Sequence, residues 1–375
     1  MDFNLFAYFT LGRRHELEAG LAGLKGEYYQ RMLDEVAQIA AFADDSGYAG
    51  FGHPEHHLQI EGCEASNDLA AMAMFLGQHT RRLKIISCGW VSTTHNPLRA
   101  AETVATLDHM LRGRFAFGLV RGYQYRWVEN FKVQPSFAAV GPWNKDSAED
   151  LRNRAHFSEY VEVVLKALAQ PTFSHRGDFW QFPAIGMKNP HVHAVYSEFG
   201  RGVAEDMTIS EIGIAPRPYQ QPWPQLYGGF GASVRTALFW ARHNGRPIVM
   251  SGNLDFCDML WTRYREEAVR WGHDNPPGSQ IAWGGLMVCA PTDAEAEKQF
   301  EDFKWFWERW SIPFGNPFPE LLVGSPDTIS RRIEAARSRF NPQECFLIVP
   351  QGLHPAAQVC DSLGLFAEKV IPRFS

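Results

Sequence analysis

The chain has 375 residues, 45% of them apolar and 21% charged, with 42 acidic against 36 basic side chains and a formal net charge of −6. That balance belongs to a globular protein with a substantial core and excludes a disordered tail or a disulfide-stapled miniprotein. A mildly acidic chain also has no bulk attraction for nucleic-acid phosphates or anionic lipid.

Short apolar runs alternate with longer amphipathic segments. Residues 3–9 read as a strand and 27–46 as a helix, with Met32, Val36, Ile39 and Ala40 at helical spacing and Gly47 placed to stop it. A short strand is expected at 48–51, a helix at 69–76 and a strand at 83–91. Pro97 suits the first turn of a helix running to Leu111, Gly113 ends it, and 115–120 is the next strand. After a long loop comes a helix at 150–169. Later strands are expected at 225–229, 247–251, 281–289 and 345–349, and helices at 233–243, 255–271, 293–310, 326–339 and 356–370.

Strand–helix alternation over the whole length implies parallel strands with helical crossovers. Eight such units with insertions match a (β/α)8 TIM barrel, with a doubly wound sheet as the runner-up. No linker or repeat divides the chain, so residues 1–375 read as one domain. The stretches 121–150 and 171–224, rich in Pro, Gly and aromatics, read as insertions on the barrel's loop face. The N-terminus has no basic region followed by a long apolar run, and no segment is long enough to span a bilayer. Cys63, Cys88, Cys257, Cys289, Cys345 and Cys360 are dispersed, without C-x-x-C spacing. A cytoplasmic protein with free thiols is expected. The 12 Trp, 11 Tyr and 27 Phe suit a core, and equally a pocket for a planar cofactor or lipophilic substrate, and composition does not separate the two.

Three segments carry chemistry. His53-Pro54-Glu55-His56-His57 follows the second predicted strand, and strand C-terminal ends are where barrel enzymes place catalytic groups. A histidine there can move a proton near neutral pH, with an adjacent carboxylate setting its tautomer. The competing role is structural, with histidines satisfying loop backbone groups. No metal is expected: H-x-E-H is one residue short of the H-x-x-E-H ligand spacing and sits off a helix. In the second segment a strand delivers Arg121-Gly122 at its end, fit for bidentate phosphate binding, although Arg121 could equally pair with a carboxylate. In the third, Gly229-Phe230-Gly231-Ala232-Ser233 leads into a helix, whose first N–H groups form an anion site. Val234 stands where a dinucleotide fingerprint has its third glycine. P-loop and G-x-S-x-G motifs are both absent.

In register, these segments resemble the bacterial-luciferase-like flavin monooxygenases. The resemblance rests on Glu55-His56-His57; on Asn96-Pro97-Leu98-Arg99-Ala100-Ala101-Glu102 with Leu107-Asp108 and Gly113-Arg114-Phe115; and on Gly118 with Arg121-Gly122. The proline-rich run Pro216–Pro224, Val323-Gly324-Ser325-Pro326-Asp327-Thr328 and the strand ending at Pro350 complete it. The Gly-Phe turn and Ser251-Gly252-Asn253-Leu254-Asp255 look closest to the diketocamphane-type ketone monooxygenases. One departure is Asn96, where relatives carry a histidine; His95 lies one place earlier.

The resemblance implies a two-component FMNH2-dependent monooxygenase. It would insert one oxygen atom of O2 into a small lipophilic or aromatic substrate through a C4a-(hydro)peroxyflavin, with a separate NAD(P)H:flavin reductase and a homodimeric assembly. His56 would be the active-site histidine, tuned by Glu55 or His57. Arg121, with Gly122 and Tyr123, would hold the FMN phosphate, and Gly231, Ser233 and Thr236 would supply the other half of that site. Gly89 would lie under the flavin ring, where the family carries a cis peptide at the position of Cys88-Gly89. Phe6, Trp90 and Tyr125 would line the substrate cavity. Two alternatives share the fold: a deazaflavin-dependent hydride-transfer oxidoreductase and a non-catalytic flavin-binding protein.

Overall fold

A computed structural model describes residues 1–189, 198–231 and 233–374. In chain order its strands are β1 (Asp2–Phe6), β2 (Gly50–His53), β3 (Lys84–Val91), β4 (Phe115–Val120), β5 (His175–Arg176), β6 (Gln181–Phe182), β7 (Gln225–Gly228), β8 (Arg246–Val249), β9 (Ala282–Cys289), β10 (Glu320–Gly324) and β11 (Glu344–Ile348). From β9 the sheet runs through β11, β1, β2, β3, β4, β7 and β8, and β8 pairs back onto β9. That closes the eight-stranded barrel read from the sequence. β10 lies beside the C-terminal half of β9, and β5 and β6 form a separate antiparallel hairpin.

The chain divides into two compact units. The first comprises Met1–Gly89, Ala116–Gly118 and Gln225–Ser375; the second comprises Trp90–Phe115 and Leu119–Pro224. The first unit holds the barrel wall. Its interior is filled by Phe6, Ile86, Ala116, Tyr227, Ile248, Leu286 and Phe346, side chains from successive strands that meet in one buried cluster. At the strand N-termini Arg246 and Glu344 form a buried ion pair, and the Tyr227 hydroxyl donates to Glu344 Oε2 at 2.9 Å. The Tyr227 proton is held firmly, because burial and the adjacent carboxylate both push its pKa up.

The second unit takes in both stretches read as insertions, together with the helices Pro97–Met110 and Ala148–Ala169. Glu159 organises its hairpin: the carboxylate accepts the backbone N–H groups of Asp178 at 3.0 Å and Trp180 at 2.7 Å, and lies 3.2 Å from His175 Nε2. Nearby, His156 is fully buried among Phe137, Tyr160, Phe179 and Trp180.

Most expected elements form within a residue or two of their places, and the exceptions have physical causes. The second strand sits at Gly50–His53 rather than 48–51. A Cβ at Gly50 would come 2.6 Å from Asn4 Oδ1, and one at Gly52 2.7 Å from the Phe6 ring, so these glycines are what lets β2 lie against β1. Glycine has low strand propensity, so the pattern hid them. β10, absent from the reading, lies among prolines and is fixed by pairing with β9. The stretch after β4 contains a helix, Tyr125–Phe131, that was read as loop. The helix expected at 293–310 is α-helical over Asp293–Phe306 and continues as a π-helical turn, Trp307–Ser311. Among the described residues no helix is long and apolar enough to cross a membrane.

His53 and His156 make the fold acid-sensitive. Burial lowers the pKa of each to about 4. Below pH 6.5 the unfolded chain therefore takes up protons that the folded chain refuses, and stability falls until about pH 4. Each histidine contributes roughly 3 kcal/mol to that loss. His156→Phe should remove its share: urea unfolding compared at pH 7 and pH 4.5 should show a smaller drop than in the parent. An equal drop would show that His156 does not set the acid limit.

Candidate active site

The candidate catalytic residues lie on the loop after β2, in the first unit. This loop folds back on itself: His56 N–H donates to Ser66 O at 2.8 Å, and Ala65 N–H donates to Phe9 O at 3.0 Å. Leu58 and Glu64 take left-handed backbone angles, φ 59° and 53°, strained for side chains of their shape. The result is a group of acids and imidazoles in which Glu55, His56 and Glu64 are buried and His57 is half-buried. Glu55 Oε1 lies 2.8 Å from His57 Nε2, and Glu64 Oε2 lies 3.6 Å from His56 Nε2. Burial lowers the His56 pKa, opposed by the charges of Glu64 and Glu55. At neutral pH His56 is thus an uncharged imidazole, able to donate from one ring nitrogen and accept at the other.

His53, adjacent in sequence, does something else. It ends β2, and its Nε2 meets Ser87 Oγ at 2.9 Å while its Nδ1 lies 3.3 Å from Ser66 Oγ. It ties β2, β3 and the loop together, the structural role weighed against catalysis for the whole cluster.

On β3 the Cys88–Gly89 peptide is cis, as the resemblance implied. A Cβ on Gly89 would stand 2.2 Å from Gly118 O, and one on Gly118 2.5 Å from Cys88 Sγ. The backbones of β3 and β4 thus meet without intervening side chains.

Also in the first unit, Ser233 caps the helix Val234–Arg242: its Oγ accepts Thr236 N–H at 3.2 Å and lies 2.8 Å from Thr236 Oγ1. Gly231 N–H donates to Ile248 O. Arg235 is exposed in the first turn of this helix. Ala232 lies outside the described residues. Phe6 is fully buried and packs edge-on against Phe230, with 4.7 Å between ring centroids.

In the second unit, Arg121 leaves the end of β4 and donates to Asp150 Oδ1 at 2.6 Å. Asp150 also pairs with Arg154 at 2.9 Å and accepts the Asp146 N–H at 3.0 Å. These partners hold the Asp150 pKa down at about 2, against its burial. The sequence reading allowed for a carboxylate partner but identified neither Asp150 nor Arg154; their i,i+4 spacing at a helix start was the available signal. Gly122, at φ 87°, has Val91 Cγ1 within 2.5 Å of where a Cβ would be, so only glycine fits. Tyr123 is half-buried beside it. Asn96 acts as the N-cap of Pro97–Met110, its Oδ1 accepting Leu98 N–H at 2.9 Å. Trp90 is buried and meets Phe115 edge-on, whereas Tyr125 is 67% exposed on its helix. Among the described residues no three metal-ligating side chains converge.

The close approach of β3 to β4 makes a direct prediction. Gly89→Ala should cost roughly 1–3 kcal/mol, because its methyl meets a backbone oxygen that cannot rotate away. An unchanged urea midpoint would refute that geometry.

Comparison with known proteins is consistent with this architecture. The Luciferase-like monooxygenase family profile matches residues 1–320. The alkanal monooxygenase alpha chain of Photobacterium leiognathi is 25% identical over 293 residues, covering 78% of this chain and 68% of its own. The 3,6-diketocamphane 1,6-monooxygenase of Pseudomonas putida is 24% identical over 345 residues, covering 83% and 84%. The oxygenating constituent of that organism's 3,6-diketocamphane monooxygenase, a type II Baeyer–Villiger enzyme solved with FMN, has the same fold, with a TM-score of 0.76 at 19% identity over 100% and 99% of the two chains. An F420-dependent secondary alcohol dehydrogenase shares the fold too, with a TM-score of 0.64 at 14% identity over 100% and 99%. With a family profile spanning most of its length and the family's barrel in its structure, this chain belongs to the luciferase-like monooxygenases and is an enzyme of that oxidoreductase family.

Proposed function

We propose that the chain is the oxygenating component of a two-component system. It would take reduced FMN from a separate NAD(P)H:flavin reductase and place one oxygen atom of O2 into a small lipophilic or aromatic substrate. When bound, the reduced flavin supplies the electrons that activate dioxygen. The protein's own contribution is binding, water exclusion and proton placement. The observation that carries the reading is the buried pairing of two acids with two imidazoles at the end of β2, in a chain of this family.

His56 is the proton-handling residue in this reading: uncharged at neutral pH, it can donate from one ring nitrogen while accepting at the other. Glu55 holds His57 at 2.8 Å and fixes that ring. Gly89 supplies flat backbone for the isoalloxazine. Arg121, with the backbone of Gly122 and Tyr123, is one proposed phosphate contact. The helix start at Gly231, Ser233 and Thr236 is another, proposed separately on the positive end of the helix dipole and the two hydroxyls there. Phe6, Trp90 and Tyr125 are proposed substrate contacts. The free thiols among the described residues support a cytoplasmic setting; the homodimer rests on the resemblance alone.

Arg121→Ala should weaken FMN binding about 10- to 100-fold, the loss of a charge-assisted contact of about 1.5–3 kcal/mol. Flavin fluorescence titration measures it, and unchanged affinity would remove Arg121 from the phosphate site. His56→Ala should bind FMN within about threefold of the parent yet lose oxygenated product and release hydrogen peroxide instead. Retained, fully coupled product formation would overturn the assignment. Reduction of F420 by an alcohol substrate, without O2 uptake on FMNH2, would favour the deazaflavin alternative. Flavin binding without turnover across ketones, aldehydes and aromatics would favour the non-catalytic one.

A further inference from the structure

Glu55, next to His56 in sequence, is engaged with His57. The carboxylate at His56 Nε2 comes instead from Glu64, on the far limb of the same loop. Three observations make this placement more than an incidental contact. Both side chains are buried, at 8% and 4% exposure, so water screens the pair only weakly. The backbone holds the two limbs in register through the His56 N–H to Ser66 O bond, two residues past Glu64. Glu64 itself occupies a left-handed conformation that a glycine or asparagine would adopt with less strain, yet a long acidic side chain stands there and turns inward.

We propose that Glu64 is the positioning residue of His56: from across the loop its carboxylate draws the imidazole proton to Nε2 and leaves Nδ1 as the acceptor. Among the described residues, the charged groups acting on His56 include Glu64 and Glu55, which favour its cation, and His57, which opposes it; these three belong to this loop. Glu64 is the largest of the three influences, and it partly offsets the burial that would otherwise strip His56 of basicity. Two acid–imidazole pairs therefore sit side by side with separate duties. Glu55 fixes His57, and Glu64 sets the proton position on His56. The catalytic consequence rests on the monooxygenase reading above; the effect on the imidazole does not.

The test uses the full-length protein without flavin, labelled with 15N-histidine, with His56 assigned by comparison with His56→Gln. Glu64→Gln keeps shape and burial and removes the charge. It should move the His56 titration midpoint about one pH unit lower and shift its 15N signals away from the Nε2-protonated pattern. Glu64→Asp withdraws the charge by one methylene and should give a smaller change in the same direction. In turnover with reduced FMN, the acidic limb of the pH profile should move with the midpoint, while FMN affinity stays within about twofold. A His56 midpoint and tautomer unchanged in a folded Glu64→Gln would overturn the proposal. Should that variant not fold, an unchanged Glu64→Asp would overturn it equally. If the imidazole shifts as expected but no substrate is oxygenated by any variant, the monooxygenase reading fails and the positioning role stands.

Discussion

Closure of the barrel depends on β9, the strand that takes partners along both edges. Its first half pairs with β11 on one side and β8 on the other, and its second half pairs with β10. Consecutive glycines make this possible. A Cβ on Gly284 would lie 1.8 Å from Phe346 O, and one on Gly285 2.0 Å from Glu320 O. With a side chain at Gly284, β9 could not approach β11 and the sheet would stay open at that edge, while one at Gly285 would push away β10, which lies outside the barrel circuit. Once it closes, β2 and β3 are held in a fixed register, Gly50 against Lys84 through His53 against Ser87. That register delivers His53 to Ser87 and starts the candidate catalytic loop from a rigid strand end.

The loop after β2 then meets an electrostatic constraint. It buries Glu55, His56 and Glu64 beside a half-buried His57, and burying a lone charge would cost far more than a single surface contact returns. The sequence meets this by interleaving acids with imidazoles, so that each carboxylate has an imidazole within ion-pair distance and neither histidine is left to burial alone. The backbone strain at Leu58 and Glu64 accompanies the reversal that brings the two limbs together. On the proposed positioning role, function and folding draw on the same contacts: the pairs that make the loop tolerable would also set where its protons sit.

The barrel was legible from the strand–helix rhythm, because period and punctuation survive without knowledge of packing. Helix ends marked by Gly47, Pro97 and Gly113 fall where the structure puts them. What tertiary pairing decides was not legible: β10, which owes its existence to β9, and the bounds of β2, expected at 48–51 but set at Gly50–His53 where its glycines let it lie against Asn4 and Phe6. Within the candidate site, residue types were readable and partners were not. Glu55-His56-His57 suggests that Glu55 serves its neighbour His56, but the loop's reversal gives that place to Glu64. Arg121 was legible as an arginine at a strand end, while Asp150 and Arg154 became its companions only through the long stretch between β4 and the helix Ala148–Ala169.

Those companions bear on the choice between the two roles open to Arg121. A lone Arg–Asp pair is neutral and would blunt any attraction for phosphate. Here Asp150 is shared: it binds Arg121 and Arg154 together, so its single negative charge is not spent on Arg121 alone. The low Asp150 pKa keeps that carboxylate ionised across the physiological range, and the charge is therefore constant with pH. Asp150 thus works as a clamp that restricts a flexible guanidinium at the strand end, with Arg154 restoring the positive potential the clamp would otherwise cancel. A preorganised guanidinium loses less side-chain freedom on meeting an anion than a solvated one. For the phosphate role proposed for Arg121, pairing with Asp150 is therefore no obstacle: the carboxylate that first looks like a competitor would aim the arginine.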